Sequence, residues 1–470
     1  VTDQPGGDVI DPPDNEDAVD TDIDETEVSE PERSTKAHEL AQEHHDISPP
    51  QSDAEVDDPN TLMDAAKTFK APALEAAELE RASAKGGGCP TTDSVDSSTV
   101  PSGTQEAICI REATSSEAER VSAVATTAAS GLNLKSEGAP VRAGSVSNIP
   151  GWCITSIRGW HKRRYEACAM RPLVVVMYYY DRMGVHVRGS ISFAEFRYLR
   201  LSRISGTWES HTTLSMGDAK GNTEGIQAHN ASFSCSNSCK AHWRQSFQPF
   251  GRDTSVASWS SWVEARAAAG KRHSMTARMT YGFTKYNTAP SGHITAQSNT
   301  VRCDRALKGS PTIGCVIPSY TPVMVYKKSG NYPQLARHIE AAQKSKLPGA
   351  YRGGKALTRL TDDYKIGRNR SRSCSKSIKK KYKTAGKSCD EYPFASTYQG
   401  PYTANITNPR TFTWCKMGRD SDTGPNGFSR CMIHAGQNSS GGSALGTFYS
   451  AHAGGSRVLS HDAFKVWIVA

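Results

Sequence analysis

Two adjacent carboxylates, Asp390 and Glu391, stand at the end of a strongly basic stretch. Between Tyr351 and Lys387 there are thirteen Lys/Arg and two acids, Asp362 and Asp363. The cluster Arg368, Arg370, Arg372 and the run Lys379, Lys380, Lys381, Lys383 supply its highest density of charge. Cations at this density neutralise phosphates and give affinity without a choice of sequence. Carboxylates beside them meet the needs of phosphodiester hydrolysis. A base takes a proton from water, and a hard cation held by oxygen ligands stabilises the leaving oxygen. An Asp-Glu pair alone is more often a surface charge. A basic run alone is more often a solvated loop, and here the two are contiguous.

A second element lies downstream: Gln437-Asn438-Ser-Ser-Gly441-Gly442, then Leu445, Phe448 and Tyr449 at helical spacing. These last three read as the buried stripe of a helix whose start Asn438 marks as a cap or turn former. The alternation from Arg457 through Asp462, Phe464, Val466 and Ile468 reads as a final strand. Upstream, Pro333–Gln343 reads as a short amphipathic helix with Pro in its first turn and Leu335, Ile339 and Ala342 on one face. His338 on that helix is expected at the surface, as are His434, His452 and His461.

The string Cys389-Asp-Glu-Tyr-Pro-Phe-Ala-Ser-Thr397, followed by Asn438 with its Ser-Ser-Gly-Gly, Ala-Leu-Gly and Phe-Tyr, resembles the NucA/NucB family of secreted bacterial deoxyribonucleases. The resemblance covers roughly the last hundred residues. It implies a small ββα-metal nuclease fold and Mg²⁺- or Mn²⁺-dependent hydrolysis of DNA. It makes Asp390 the general base or its close support, with Glu391 as the neighbouring acid. Asn438 and Gln399 fall at positions for holding the metal. The Asp390 and Asn438 side chains are then expected to face one another across one cation. Gln399-Gly400 stands where the family usually has Glu-Gly, and Gln437 where an acid is common.

The rest of the chain divides by composition. Residues 1–60 hold 20 Asp/Glu and two basic residues, leaving 54 Lys/Arg against 28 Asp/Glu on the other 410. An acidic arm on a basic body points to a polyanion partner for the body, and the arm itself keeps the chain in solution or shields the basic face. With so few apolar residues, 1–60 is expected to be disordered. Residues 61–150 read as weakly helical and then as a Ser/Thr/Gly-rich linker. Residues 151–302 alternate polar with apolar or aromatic residues in short runs and read as an antiparallel β domain without a catalytic grouping and with an unknown ligand. Leu173–Tyr180 has the make-up of a buried strand, and Trp259 and Trp262, three apart, should face opposite sides of one. Residues 303–373 read as a connector with a short helix and the basic segment, and 374–470 as the nuclease domain. The whole is α+β, with the ββα-metal domain at the C-terminus.

Twelve cysteines fall as close neighbours: Cys89 with Cys109, Cys153 with Cys168, Cys235 with Cys239, Cys303 with Cys315, Cys374 with Cys389, and Cys415 with Cys431. In an exported chain this reads as six disulfides. A zinc site at Cys235 and Cys239 is the lesser reading, for want of a second pair or of histidines at the right spacing. The chain begins at Val1 without an apolar leader, as a mature export product would, and has no apolar run long enough to span a membrane. These features converge on a secreted, metal-dependent endonuclease that cuts DNA without sequence specificity. Two other readings stand beside it: a degenerate extracellular module that binds DNA or other polyanions, and a secreted nuclease toxin delivered by the β domain.

Overall fold

The computed structural model describes residues 89, 106–121, 149–153, 159–181, 184–251, 256–418 and 423–470. The acidic arm 1–60, the helical reading of 61–84 and most of the linker lie outside the described residues. What is described is mixed α+β with mostly antiparallel sheets.

The first part is a β body. It contains β1 (Glu106–Glu112), β2 (Trp160–Lys162), β3 (Glu166–Asp181), β4 (Gly184–Arg200), β5 (Thr207–Gly221), β6 (Gln227–Cys235), β7 (Cys239–His242) and β8 (Phe247–Pro249). It continues with β9 (Val256–Ala265), β10 (Arg272–Met275), β11 (Ala277–Thr284), β12 (Ile294–Gln297), β13 (Val301–Asp304) and β14 (Gly314–Val316). The main sheet runs β1-β3-β4-β5-β9-β7, with β2 also on β3, beside a sheet β12-β11-β6-β8 and a small sheet β10-β13-β14. All these pairings are antiparallel. One apolar cluster, including Val175, Phe193, Trp208, Leu214, Phe250, Trp259 and Phe283, joins residues of all three sheets. Leu173–Tyr180 forms the centre of β3, as its β-branched content predicts. Trp259 is buried and Trp262 exposed, following the two-residue period of a strand.

The second part contains β15 (Val323–Lys327), α1 (Pro333–Lys344), β16 (Leu357–Thr358), α2 (Asp363–Ser373), α3 (Lys376–Lys381), β17 (Lys387–Tyr392), β18 (Pro409–Arg410), β19 (Phe428–His434), α4 (Ala435–Tyr449) and β20 (Ala463–Val469). Its sheets are β15-β20-β16 and β17-β19-β18. A single cluster runs from Met324, Tyr326 and Leu335 through Tyr392 and Ile433 to Phe448 and Val466. The line drawn between 373 and 374 therefore cuts through one core. β15 pairs in parallel with β20, so residues 323–373 supply a strand and a helix to the same core. Cys303 and Cys315, read as part of the connector, belong to the core of the β body. β1, read as linker, is a strand of the main sheet. Such pairings join residues far apart in sequence, which periodicity cannot register.

All six neighbouring cysteine pairs form disulfides, Cys235–Cys239 among them. Buried charges join the two parts. Arg164 and Arg302 both reach Asp462, at 3.2 and 2.6 Å, and Arg457 reaches Asp304 at 2.8 Å. Burial alone would raise the Asp462 carboxyl. Arg302, the Leu459 N–H and Arg164 hold it below the usual carboxylate range. Among the described residues no helix is long and apolar enough to cross a membrane.

Candidate active site

β17 carries Ser388, Asp390 and Tyr392 on one face and Cys389 and Glu391 on the other, because side chains alternate along a strand. Its antiparallel partner β19 sets Cys431 opposite Asp390 and Arg430 opposite Glu391. The inner face looks into the core shared with α1 and α4. The outer face meets α2, tied on by Cys374–Cys389. Adjacent in sequence, Asp390 and Glu391 thus stand on opposite sides of the sheet.

Asp390 is buried, and its Oδ2 lies 2.6 Å from Nδ1 of His338. The other imidazole nitrogen, Nε2, is 3.0 Å from the Ser429 hydroxyl. The expectation of a surface His338 is overturned: the residue is wholly buried. The sequence did hold a signal. His338 follows Leu335 by three and precedes Ala342 by four, so it lies in the apolar stripe of α1 and not beside it. Its partner Asp390 is 52 residues away and no local pattern links the two.

Asn438 sits in the first turn of α4, whose N-cap is His434, so it is a helical residue and not the cap. Its Nδ2 donates to Ser388 Oγ at 2.9 Å and to the Cys389 carbonyl at 3.3 Å. These are the residues immediately before Asp390, and Ser388 shares its face. One turn further along α4, Gly441 lets α1 approach, since a Cβ there would run into Leu335. Gln437 Oε1 accepts the Gln334 N–H at 2.8 Å and Gln334 Oε1 accepts the His434 N–H at 2.9 Å, which stitches the starts of α1 and α4 together.

Gln399 is elsewhere. Its Oε1 accepts the Thr358 N–H at 2.9 Å, and its amide donates to the Thr358 hydroxyl at 3.2 Å. Among the described residues no hydrogen bond joins it to Asp390 or Asn438, whereas Asn438 bonds the two residues that precede Asp390. A glutamate could accept the N–H but not donate, so the amide here suits the loop's attachment to β16. Asn369, fully buried, holds the same loop. It donates to the Ala395 and Thr397 carbonyls and accepts from the backbone of Tyr402 and Thr403.

The basic run forms helices, not a loop. Asp362 caps α2 by accepting the Lys365 N–H, and Ser375 caps α3 by accepting the Ile378 N–H. Arg368, Arg370, Arg372, Lys379, Lys380, Lys381 and Lys383 are all exposed, and none pairs with a carboxylate among the described residues. Arg368 and Arg372 lie over the Tyr402 ring. Beneath them, Glu391 is half-buried. Burial, then the charge of Asp390, push its carboxyl up to about 7 against the pull of Arg370 and Lys379.

Residues 349–459 match the family model of deoxyribonuclease NucA/NucB. The C-terminal part of the chain is therefore similar to that family, which supports a nuclease function. No curated protein matches the chain. α1 and its His338 lie outside the matched residues, so the family pattern carries no signal for them. Among the described residues no group of three or more His, Cys, Asp and Glu is placed to hold a metal. An ion held by Asp390 and Asn438 would have one carboxylate and one amide as its oxygen donors. That set suits a hard ion such as Mg²⁺ or Mn²⁺, which takes one or two protein oxygens and completes its shell with water and substrate phosphate.

Proposed function

We propose that this chain is a secreted, metal-dependent endonuclease that hydrolyses DNA phosphodiester bonds without sequence specificity. The observation that supports the reading is that Asn438 of α4 bonds Ser388 and the Cys389 carbonyl, the two residues before Asp390 on β17, while His338 grips one oxygen of the Asp390 carboxylate. The order β17, β19, α4, with the helix packed back on both strands, supports a ββα-metal assignment.

Asp390 accepts the proton of the attacking water. Its Oδ2 is held by His338, so its Oδ1, which takes no hydrogen bond among the described residues, is fixed in direction. His338 acts as a positioning residue, itself held by Ser429. Asn438 spends its NH₂ on β17 and keeps its amide oxygen for the ion. A bound Mg²⁺ or Mn²⁺ supplies charge withdrawal at the scissile phosphate and neutralisation of the departing 3′ oxygen. Arg368, Arg370 and Arg372 of α2, Lys379, Lys380 and Lys381 of α3, and Lys383 just beyond it grip the phosphodiester backbone, which has the same charge for every sequence. Six disulfides suit an oxidising, extracellular setting.

The test is nicking of supercoiled plasmid by the full chain with Mg²⁺, with Mn²⁺ and with EDTA. Cutting that depends on added metal is the expected result. Plasmid that stays supercoiled with either metal, yet is retained by the protein at low salt, would leave the polyanion-binding reading in its place.

A further inference from the structure

We infer that the β body supplies a second stretch of the DNA-binding track, formed by Arg266, Lys271, Arg272 and Arg305 and joined through Lys308 to the basic helix α2. The inference rests on the nuclease reading for its choice of partner, but on a different surface.

The four cations come from two segments that the backbone places side by side. The Gly270 N–H donates to the Arg305 carbonyl at 2.8 Å, and the Arg305 N–H donates to the Lys271 carbonyl at 2.9 Å. Arg272 is in register with Asp304 where β10 pairs with β13. All four side chains are exposed. Neither 265–275 nor 305–315 contains an acidic residue. The neighbouring acids are occupied: Asp304 is fully buried on Arg457, and Glu264 reaches His242 at 3.4 Å. No ion pair ties any of the four to a carboxylate among the described residues, so their charge stands toward solvent.

Lys308, three residues past Arg305, ion-pairs with Asp363, the first residue of α2. The band of the β body thus reaches the start of the helix that carries Arg368, Arg370 and Arg372. The buried bridges from Arg164 and Arg302 to Asp462 and from Arg457 to Asp304 fix this spacing. α2, with 11 residues, is roughly 16 Å long, the length of about five base pairs of duplex. A second cationic surface beyond its start extends the footprint along the same strand pair. The occupant this chemistry selects is a long, uniformly charged polyanion, and duplex DNA is the one the cleaving domain provides.

The test uses the full chain and a fluorescent duplex of about 40 base pairs, with affinity measured in EDTA across a salt series. The variant Arg266→Gln/Lys271→Gln/Arg272→Gln/Arg305→Gln should show a log–log salt slope shallower by about 3 to 4 than the parent. The Arg-to-Lys version at 266, 272 and 305 should keep the parent slope. An unchanged slope in the Gln variant, with its unfolding midpoint intact, overturns the inference, as does a parent that does not bind the duplex at low salt. Because no metal or cutting is involved, a chain that binds with the full slope but never nicks plasmid would defeat the nuclease reading and leave this one standing.

Discussion

His338 and Asp390, 52 residues apart in sequence, meet at 2.6 Å in a site where the histidine is wholly buried and the aspartate nearly so. The imidazole is anchored from behind by Ser429, so the carboxylate is held from a fixed direction. Removing the imidazole leaves the buried Asp390 Oδ2 without its partner. His338→Ala should cost about 3–5 kcal/mol in urea unfolding and cut the nicking rate about 10- to 100-fold. His338→Gln, which keeps a donor, should recover much of the stability and part of kcat, with KM little changed. A Gln variant no better than Ala in both assays would mean that His338 only fills space.

Gly441 of α4 sits against Leu335 of α1. Gly441→Ala drives a methyl into Leu335 and should destabilise by about 1–3 kcal/mol. Combining it with Leu335→Ala should show a non-additive recovery, read from the double-mutant cycle. Strict additivity would show that the two helices do not touch there.

The Cys374–Cys389 disulfide fastens the basic helices to the strand of Asp390 across a sequence separation of 15. Replacing both cysteines with Ser should lower stability by about 3 kcal/mol through the larger entropy of the unfolded chain. The unfolding midpoint measures this, and an unshifted midpoint would contradict it.

Glu391 gives a pH dependence of definite sign. Burial penalises its ionised form, so its carboxyl rises from 4.5 to about 7 on folding. Between those values the folded protein binds more protons than the unfolded chain, and stability falls as pH rises through the window. Glu391→Gln removes this titration. Its urea midpoint should change less than that of the parent between about pH 5 and about pH 8. Equal changes in the two proteins would show that Glu391 titrates as a solvated carboxyl.

Local chemistry was legible in the sequence to the extent that local rules govern it. The disulfides joined close neighbours, the buried strand around Val175 showed its β-branched run, and α1 showed its stripe and its leading proline. The opposite facing of Asp390 and Glu391 follows from the strand period once 387–392 is known to be a strand. The stretch before β17, rich in lysine and serine, hid two helices whose caps, Asp362 and Ser375, were visible as residue types but not as helix starts. What could not be read was tertiary. The pairing of β15 with β20, the His338–Asp390 contact and the attachment of Gln399 to Thr358 each join distant segments through burial. The sequence could not separate an amide that holds a loop from one that holds a metal, because both roles use the same atoms.

With the Asp390 carboxylate as the proton acceptor, the isosteric change Asp390→Asn removes the base and keeps the shape. Nicking rates with Mg²⁺ or Mn²⁺ should fall by about 10²- to 10⁴-fold, while affinity for duplex in EDTA and its salt slope stay as in the parent. A variant that nicks at the parental rate would remove Asp390 from the chemistry and the proposed site with it.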